Sequence, residues 1–405
     1  MTDDSSRTRR SVLKTGTALG VMALAGCTES ASDSSSGDDP TETNADADTA
    51  TTTDTATSTG GASEATEGAT ETAADGSYSV SMEPVGTVEF ESVPKTWVAN
   101  NGSWADMGIA LGQEPPEGVW LTGRYHTQYY DEIPGVSVDK SDMVSLYQDG
   151  VSKERFYALD GDVHVIDPNF LMNRFNGWEQ SDVDEISQQV APFFGNSIFS
   201  GGYTWHEDYQ YYSLYEAFEK LARVFQAEER YEAFATLHED FQSNLDNVIP
   251  AEDERPAVAI MWAGGNEPEE FSPYLISQGT SFKQWRDIGV RDALAETDVQ
   301  DFHESRGRID YETLLEIDPQ YLMFRGHESQ TRAEFENTVV AYMEDHDVAS
   351  QLTAVQNGDV YRGGPLYQGP ITNLVVTERA ARQVYGVEDE LFDRQRVADI
   401  VTGEF

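Results

Sequence analysis

Hydrophobic and polar positions divide this chain into stretches of different period. A short apolar run ends at Ala25, and residues 28–76 carry almost no bulky side chain. From Tyr78 onward apolar residues recur with the periods of strands and helices. Residues 85–90 alternate like an early strand, and 96–99 read as a buried one. Residues 100–103 form a turn whose Ser103 caps a helix over 104–111, closed by Gly112. Further strands are expected at 118–121 and 162–167, the second preceded by a helix around 154–159. The longest helical pattern runs from about 207 to 248. Leu214, Phe218, Leu221, Phe225, Phe234, Leu237, Phe241 and Leu245 recur there at spacings of three, four or their multiples, with a break near 227–229. Pro250 and Pro256 flank an acidic boundary, after which strands at 257–262, 321–324 and 359–361 alternate with helices at 281–288, 311–317 and 372–385. Strand and helix in this rhythm predict an α/β fold of two Rossmann-like lobes, each with a parallel sheet covered on both faces, joined by a long α-helix. No sequence repeat relates the lobes.

Charge changes the picture more than composition does. Asp and Glu number 73 against 26 Lys and Arg, a formal net charge of −47, which excludes nucleic acid as a partner because phosphates would be repelled. Residues 28–76 account for −12 of that total and residues 1–27 for +2, so −37 belongs to residues 77–405. Only six of the 26 bases are lysine. A lysine-poor, carboxylate-covered surface suits near-saturating salt, where self-repulsion reaches only a few Å, and points to a halophilic protein of haloarchaeal type. The single cysteine, Cys27, rules out an intrachain disulfide and any thiolate metal cluster.

The amino terminus reads as an address. Arg9 and Arg10 precede the apolar run, the pattern of a twin-arginine export signal, and Leu24-Ala25-Gly26-Cys27 is similar to a lipobox. Residues 1–27 are therefore expected to be a signal peptide, with Cys27 lipidated and the protein held at the extracellular face of the membrane. Residues 28–76, nearly all Thr, Ser, Ala, Asp, Glu and Gly, cannot bury enough apolar area to offset the entropy of ordering and are expected to be a disordered stalk. An N-terminal lobe over 77–206, a bridging helical region over 207–250 and a C-terminal lobe over 251–405 follow.

Four segments of the folded part carry a resemblance. They are Val93-Pro94-Lys95-Thr96-Trp97-Val98 with Trp104-Ala105-Asp106 and Ala110-Leu111-Gly112; Ser152-Lys153-Glu154 before Leu159 and 163–166; Ile309-Asp310-Tyr311-Glu312 through Pro319; and 354–361. In this order they resemble the ABC-transporter substrate-binding proteins of the iron-siderophore, cobalamin and haem class, over about residues 83–387. The resemblance implies two rigid lobes bridged by a helix with a ligand cleft between them, a monomer that delivers cargo to an importer permease with its cytoplasmic ATPase. It also implies a docking glutamate on each lobe, by position Glu154 and Glu312. Cleft residues should come from loops after the strands. In the first lobe these are Asn101, Trp104, Arg124, Tyr125, Tyr129 and Asn169, with Trp205 and His206 just before the long helical pattern; in the second, Trp262, Tyr274, Arg325, His327 and Tyr367. Aromatic faces suit a large organic chelate, and arginine pairs with its carboxylate, hydroxamate or catecholate oxygens.

The cargo expected first is a ferric siderophore, a small-molecule metal chelate. Cobalamin and haem stay open, since Tyr125, His126 or His206 offers an axial ligand. No resident cofactor or metal is expected. A secreted enzyme or a surface protein on the same scaffold is the remaining alternative. No G-x-S-x-G, H-E-x-x-H or P-loop pattern occurs, and His126, His164, His206, His303 and His327 are scattered, so the chain is read as not an enzyme.

Overall fold

Alternation governs the first element. Tyr78, Val80 and Met82 of β1 (Tyr78–Met82) and Val88 and Phe90 of β2 (Gly86–Phe90) are buried, so one face of this antiparallel hairpin seals against helices. The computed structural model describes residues 76–405 except 149, 175, 176, 202 and 204. The expected signal peptide, Cys27 and all but the last residue of the expected stalk lie outside the described residues. Among the described residues no helix is long and apolar enough to cross a membrane.

The first lobe holds β3 (Trp97–Ala99), β4 (Gly118–Val119), β5 (Val144–Ser145) and β6 (Val163–Val165), all parallel in the order β5-β4-β3-β6. The second holds β7 (Ala257–Ala263), β8 (Phe271–Tyr274), β9 (Arg291–Asp292), β10 (Tyr321–Arg325) and β11 (Val360–Arg362). Here β11-β10-β7 run parallel, while β8 pairs antiparallel with the end of β7 and β9 parallel with its start. The two-lobed α/β architecture is the one the pattern predicts. Strands β3, β7 and β10 are almost wholly buried, as strands covered on both faces must be.

In chain order the helices are α1 (Gly102–Ala110), α2 (Lys153–Leu159), α3 (Pro168–Arg174), α4 (Gln180–Gln189), α5 (Leu214–Val224), α6 (Glu228–Asp246), α7 (Lys283–Asp287), α8 (Phe302–Ser305), α9 (Tyr311–Ile317), α10 (Arg332–Phe335), α11 (Ala341–Asp345), α12 (Thr353–Asn357), α13 (Pro370–Tyr385) and α14 (Arg394–Thr402). Asn101, not Ser103, caps α1: its side-chain oxygen accepts from the Ser103 N–H at 2.9 Å, and Ser103 lies inside the helix.

The stretch read as one long helical pattern is an antiparallel hairpin. Residues 207–213 are not helical, and Gln226 at φ +48° turns the chain between α5 and α6. Phe218 meets Tyr231 and Phe234 at 5.5 and 5.9 Å, and Tyr215 stacks on His238 at 4.1 Å, pairings that fold about residue 226. The longer arm, α6, leads towards the second lobe. The helix that packs on both lobes is α13, against α1 on one side and α7 on the other. Twelve of its 16 residues are buried and only a strip at its carboxyl end, including Arg382, reaches the surface, so it acts as a central strut.

Two segments match residue for residue in geometry although their sequences differ. In each, a helix of seven residues (α2, α9) ends at an aspartate in the left-handed region (Asp160 at φ +48°, Asp318 at φ +44°), and a strand (β6, β10) starts three residues later. Glu154 and Glu312 both stand second in those helices, and both are exposed.

Candidate functional site

The carboxyl ends of the strands in both lobes face one another, and the junction is tightly held. Segments 198–199 and 279–281 lie side by side: Thr280 N donates to the Ile198 carbonyl at 2.9 Å, and the Ser281 hydroxyl donates to the Phe199 carbonyl at 2.7 Å. A Cβ on Gly279 would stand 2.1 Å from the Phe199 carbonyl oxygen, so glycine alone permits this approach. Ser103, buried in α1, accepts from the Gln368 N–H at 3.0 Å. Asp106, one turn further on, accepts from the Thr372 N–H at 3.0 Å, which anchors the amino end of α13 to the first lobe. Tyr130 donates to the other Asp106 oxygen at 2.8 Å, and the Tyr125 hydroxyl lies 2.8 Å from that of Tyr130. Burial pushes the Asp106 carboxyl up to about 6 despite these donors.

Glu328, just beyond β10, forms a latch. Its carboxylate takes two bonds from Arg379 of α13, at 3.1 and 3.2 Å, one from the Gly364 N–H at 2.9 Å, and one from the Tyr129 hydroxyl across the junction. Gln128 donates to the Glu328 carbonyl at 2.8 Å. Burial alone would raise the acid, but the Arg379 guanidinium and these donors hold it at about 2.

Arg325 ends β10, fully buried. One terminal nitrogen donates to the Ser281 carbonyl, and the guanidinium lies 4.4 Å from the ring centre of Phe282 and 5.7 Å from that of Tyr274. Its Nε and Nη1 have no hydrogen-bond partner among the described residues. Burial pulls its pKa down to about 10. Trp262, at the end of the neighbouring β7, receives the Arg124 guanidinium from the first lobe over its ring at 5.4 Å; both side chains are partly exposed.

An aromatic array crosses the strand ends of the first lobe. It runs from Tyr147, stacked on Trp120 at 5.4 Å, through Phe170 to Phe199 and Tyr203. Phe199 meets Tyr367 of the second lobe at 5.4 Å, and Tyr203 stacks on Trp205 at 4.4 Å. His206 closes the array, stacked on Tyr209 at 4.0 Å, with Nδ1 2.6 Å from the Tyr211 hydroxyl. Burial lowers His206 to about 4, leaving a neutral ring. Trp120, Phe170 and Phe199 are buried, whereas Tyr147, Tyr203 and Trp205 are partly exposed, so the array is rooted in the core and opens outward.

The residues named from sequence thus divide. Trp205, His206 and Tyr367 meet in the array, and Arg124 and Trp262 face each other across the junction. Tyr274 and Arg325 share a buried box. Tyr129 serves the latch, and Tyr125 the Asp106 chain. His327 is buried beside Phe335, with ring centres at 5.4 Å. Asn101 caps α1, Asn169 donates its N–H and its side-chain amide to Asp167, at 2.9 and 3.1 Å, and Trp104 lies wholly in the core. Sequence reasoning missed Trp120, Tyr147, Phe170, Phe199, Tyr203, Glu328 and Arg379. Trp120 was expected inside a strand over 118–121, whereas β4 ends at Val119 and leaves Trp120 at the strand's carboxyl end.

A family model described as periplasmic binding protein matches residues 98–366. A search of curated proteins finds no match. Solved structures of the same fold include a periplasmic binding protein from Veillonella parvula, 16% identical with a TM-score of 0.52, covering 77% of this chain and 99% of that one. The iron uptake ABC transporter substrate-binding protein PiuA from Streptococcus pneumoniae is 15% identical with a TM-score of 0.51, covering 78% and 99%. The periplasmic catecholate-siderophore binding protein VctP from Vibrio cholerae is 16% identical with a TM-score of 0.50, covering 77% and 100%. With two-thirds of its length matched, and its two lobes meeting at their strand ends, this chain belongs to the periplasmic binding protein family.

Proposed function

We propose that this protein is the extracellular capture component of an ABC importer, and that its cargo is a ferric siderophore or similar organic iron chelate. The observation that carries the reading is the aromatic array opening at the strand ends of the first lobe, with the Arg124–Trp262 pair formed across the lobe junction. A chelate brings its own oxygen ligands to the metal. From the protein it needs flat apolar walls and one or two cations against its net negative charge. Trp205, Tyr367 and Trp262 offer the first, Arg124 the second, and Arg325 holds two unfilled donors at the foot of the second lobe.

One observation favours a second cargo. The His206 Nε2 has no partner among the described residues while its Nδ1 is oriented by Tyr211, the arrangement of an imidazole prepared to ligate haem or cobalamin axially. Delivery rests on Glu154 and Glu312, whose matched positions on the two lobes suit paired docking to arginines of a permease. Export by the twin-arginine signal, anchoring through Cys27 and a stalk over 28–76 complete the proposal.

Titration of the purified full chain with ferric siderophores, cobalamin and haem tests it. Sub-micromolar, one-to-one binding of a ferric siderophore is expected, weakened about tenfold in Arg124→Ala and in Trp262→Ala, roughly 1.4 kcal/mol each. Glu154→Ala/Glu312→Ala should leave the titration unchanged. A haem spectrum that responds to His206→Ala would replace the siderophore with the second cargo, and no binding of any of the three would overturn the chelate reading.

A further inference from the structure

A separate pocket of about 340 Å³ lies where the edge strand β11 meets α10 and α13. None of its lining residues belongs to the aromatic array. Four arginines converge on it, Arg332, Arg362, Arg379 and Arg382, against one lining carboxylate, Glu336. The chain has only 20 arginines and a formal charge of −47, so placing four around so small a volume runs against the rest of the molecule.

The fold neutralises three of the four. Arg332 pairs with Glu336 at 2.6 Å, Arg382 with Glu378 at 2.6 Å and Arg379 with Glu328 at 3.1 Å. Arg362 has no carboxylate within ion-pair reach among the described residues; its one bond goes to the Gln330 carbonyl at 2.5 Å. Each guanidinium has five donors in a planar fork, so most of the donors around the pocket remain for a ligand. Phe335, Val360 and Tyr361 supply an apolar side, which suits a carbon skeleton better than a bare inorganic ion.

We propose that this pocket is a binding site for a small organic polyanion, a polycarboxylate held by Arg362 and Arg382 with Arg332 and Arg379 in support. The proposal is independent of what the inter-lobe site carries.

Calorimetric titration of the metal-free full chain with metal-free citrate tests it, with inorganic phosphate as the comparison anion. Saturable one-site citrate binding is expected, about tenfold or more weaker in Arg362→Ala/Arg382→Ala. Arg379 is left intact because it also holds Glu328. The conservative Arg362→Lys/Arg382→Lys should fall between, since lysine keeps the charge and loses the fork. Trp262→Ala, at the lobe junction, should leave citrate binding untouched. Absence of saturable binding, equal binding by the arginine variants, loss of binding in Trp262→Ala, or phosphate binding as tightly as citrate would each overturn the assignment.

Discussion

Arg325 is fully buried and Arg379 part-buried against the buried Glu328, and their surroundings act on them in opposite directions. For Arg379, burial alone would lower the pKa, but the Glu328 carboxylate raises it above the ordinary arginine value. Arg325 has two aromatic faces and a carbonyl, and burial lowers it to about 10. The first is a satisfied structural pair, the second a cation with bonding capacity to spare. Removing one partner of a buried pair leaves the other charge uncompensated, so Glu328→Gln should lower stability by about 3 kcal/mol. The pH dependence has a definite sign. The folded pKa of Glu328, about 2, lies below its ordinary value of 4.5, so the latch contributes fully above pH 4.5 and is lost as pH falls through about 2. Thermal unfolding from pH 6 to 2.5 should show the gap between wild type and Glu328→Gln narrowing below about pH 4.5. A gap constant across that range would mean the carboxylate is not what Arg379 needs.

Elements were legible in the chain wherever one period persisted or a buried strand met clear turn residues. Strands β3, β6, β7 and β10 stood out as short apolar runs, and α9 fell on the expected seven residues. Strand β8 did not, because Pro273 demotes a four-residue run whose place is antiparallel at the end of β7. The α2–β6 and α9–β10 units were paired in the sequence only through the resemblance, because what repeats is helix length, an exposed acid and a left-handed aspartate, and not the residues between. The site was half legible. Trp205, His206, Trp262 and Tyr367 could be named as aromatics near strand ends or loops, but the joining of Trp205, His206 and Tyr367 to Trp120, Phe170 and Phe199, and of Trp262 to Arg124, depends on strand order, which no local pattern encodes. The Glu328 latch was invisible for the same reason: its partners lie about 200 residues upstream in Tyr129 and 51 downstream in Arg379. The junction between segments 198–199 and 279–281 gives a test at this scale. In Gly279→Ala the new methyl meets the Phe199 carbonyl oxygen, so the segments must separate, at about 1–3 kcal/mol. Gly264→Ala, which meets nothing within 4 Å, should stay within about 0.5 kcal/mol of wild type in denaturant unfolding. Equal effects would mean the two segments do not hold each other in solution.

Residues 76–405 bury three apolar clusters beneath a strongly like-charged surface. A single buried cluster runs from the β1–β2 hairpin through α1, α5, α6, α13 and α14 to β7 and β10, so the lobes share apolar packing through α13. Against that cohesion stands −37 spread over residues 77–405, a self-repulsion that favours any expanded state. Its range is set by salt, about 8 Å at 0.15 M and about 3 Å at 1 M. We therefore expect the unfolding midpoint to climb by ten degrees or more between about 0.1 and 3 M KCl, with the steepest rise where the screening length falls below the spacing of neighbouring carboxylates. Salt also strengthens apolar burial when its ions are excluded from the surface, and that route must be separated from screening. Potassium bromide screens as well as the chloride but is much less excluded, whereas sulfate is strongly excluded. Similar midpoints in chloride and bromide at equal ionic strength would assign the effect to charge. Stabilisation by sulfate alone would assign it to the core, and a midpoint flat across all three salts would remove the case for a fold adapted to brine.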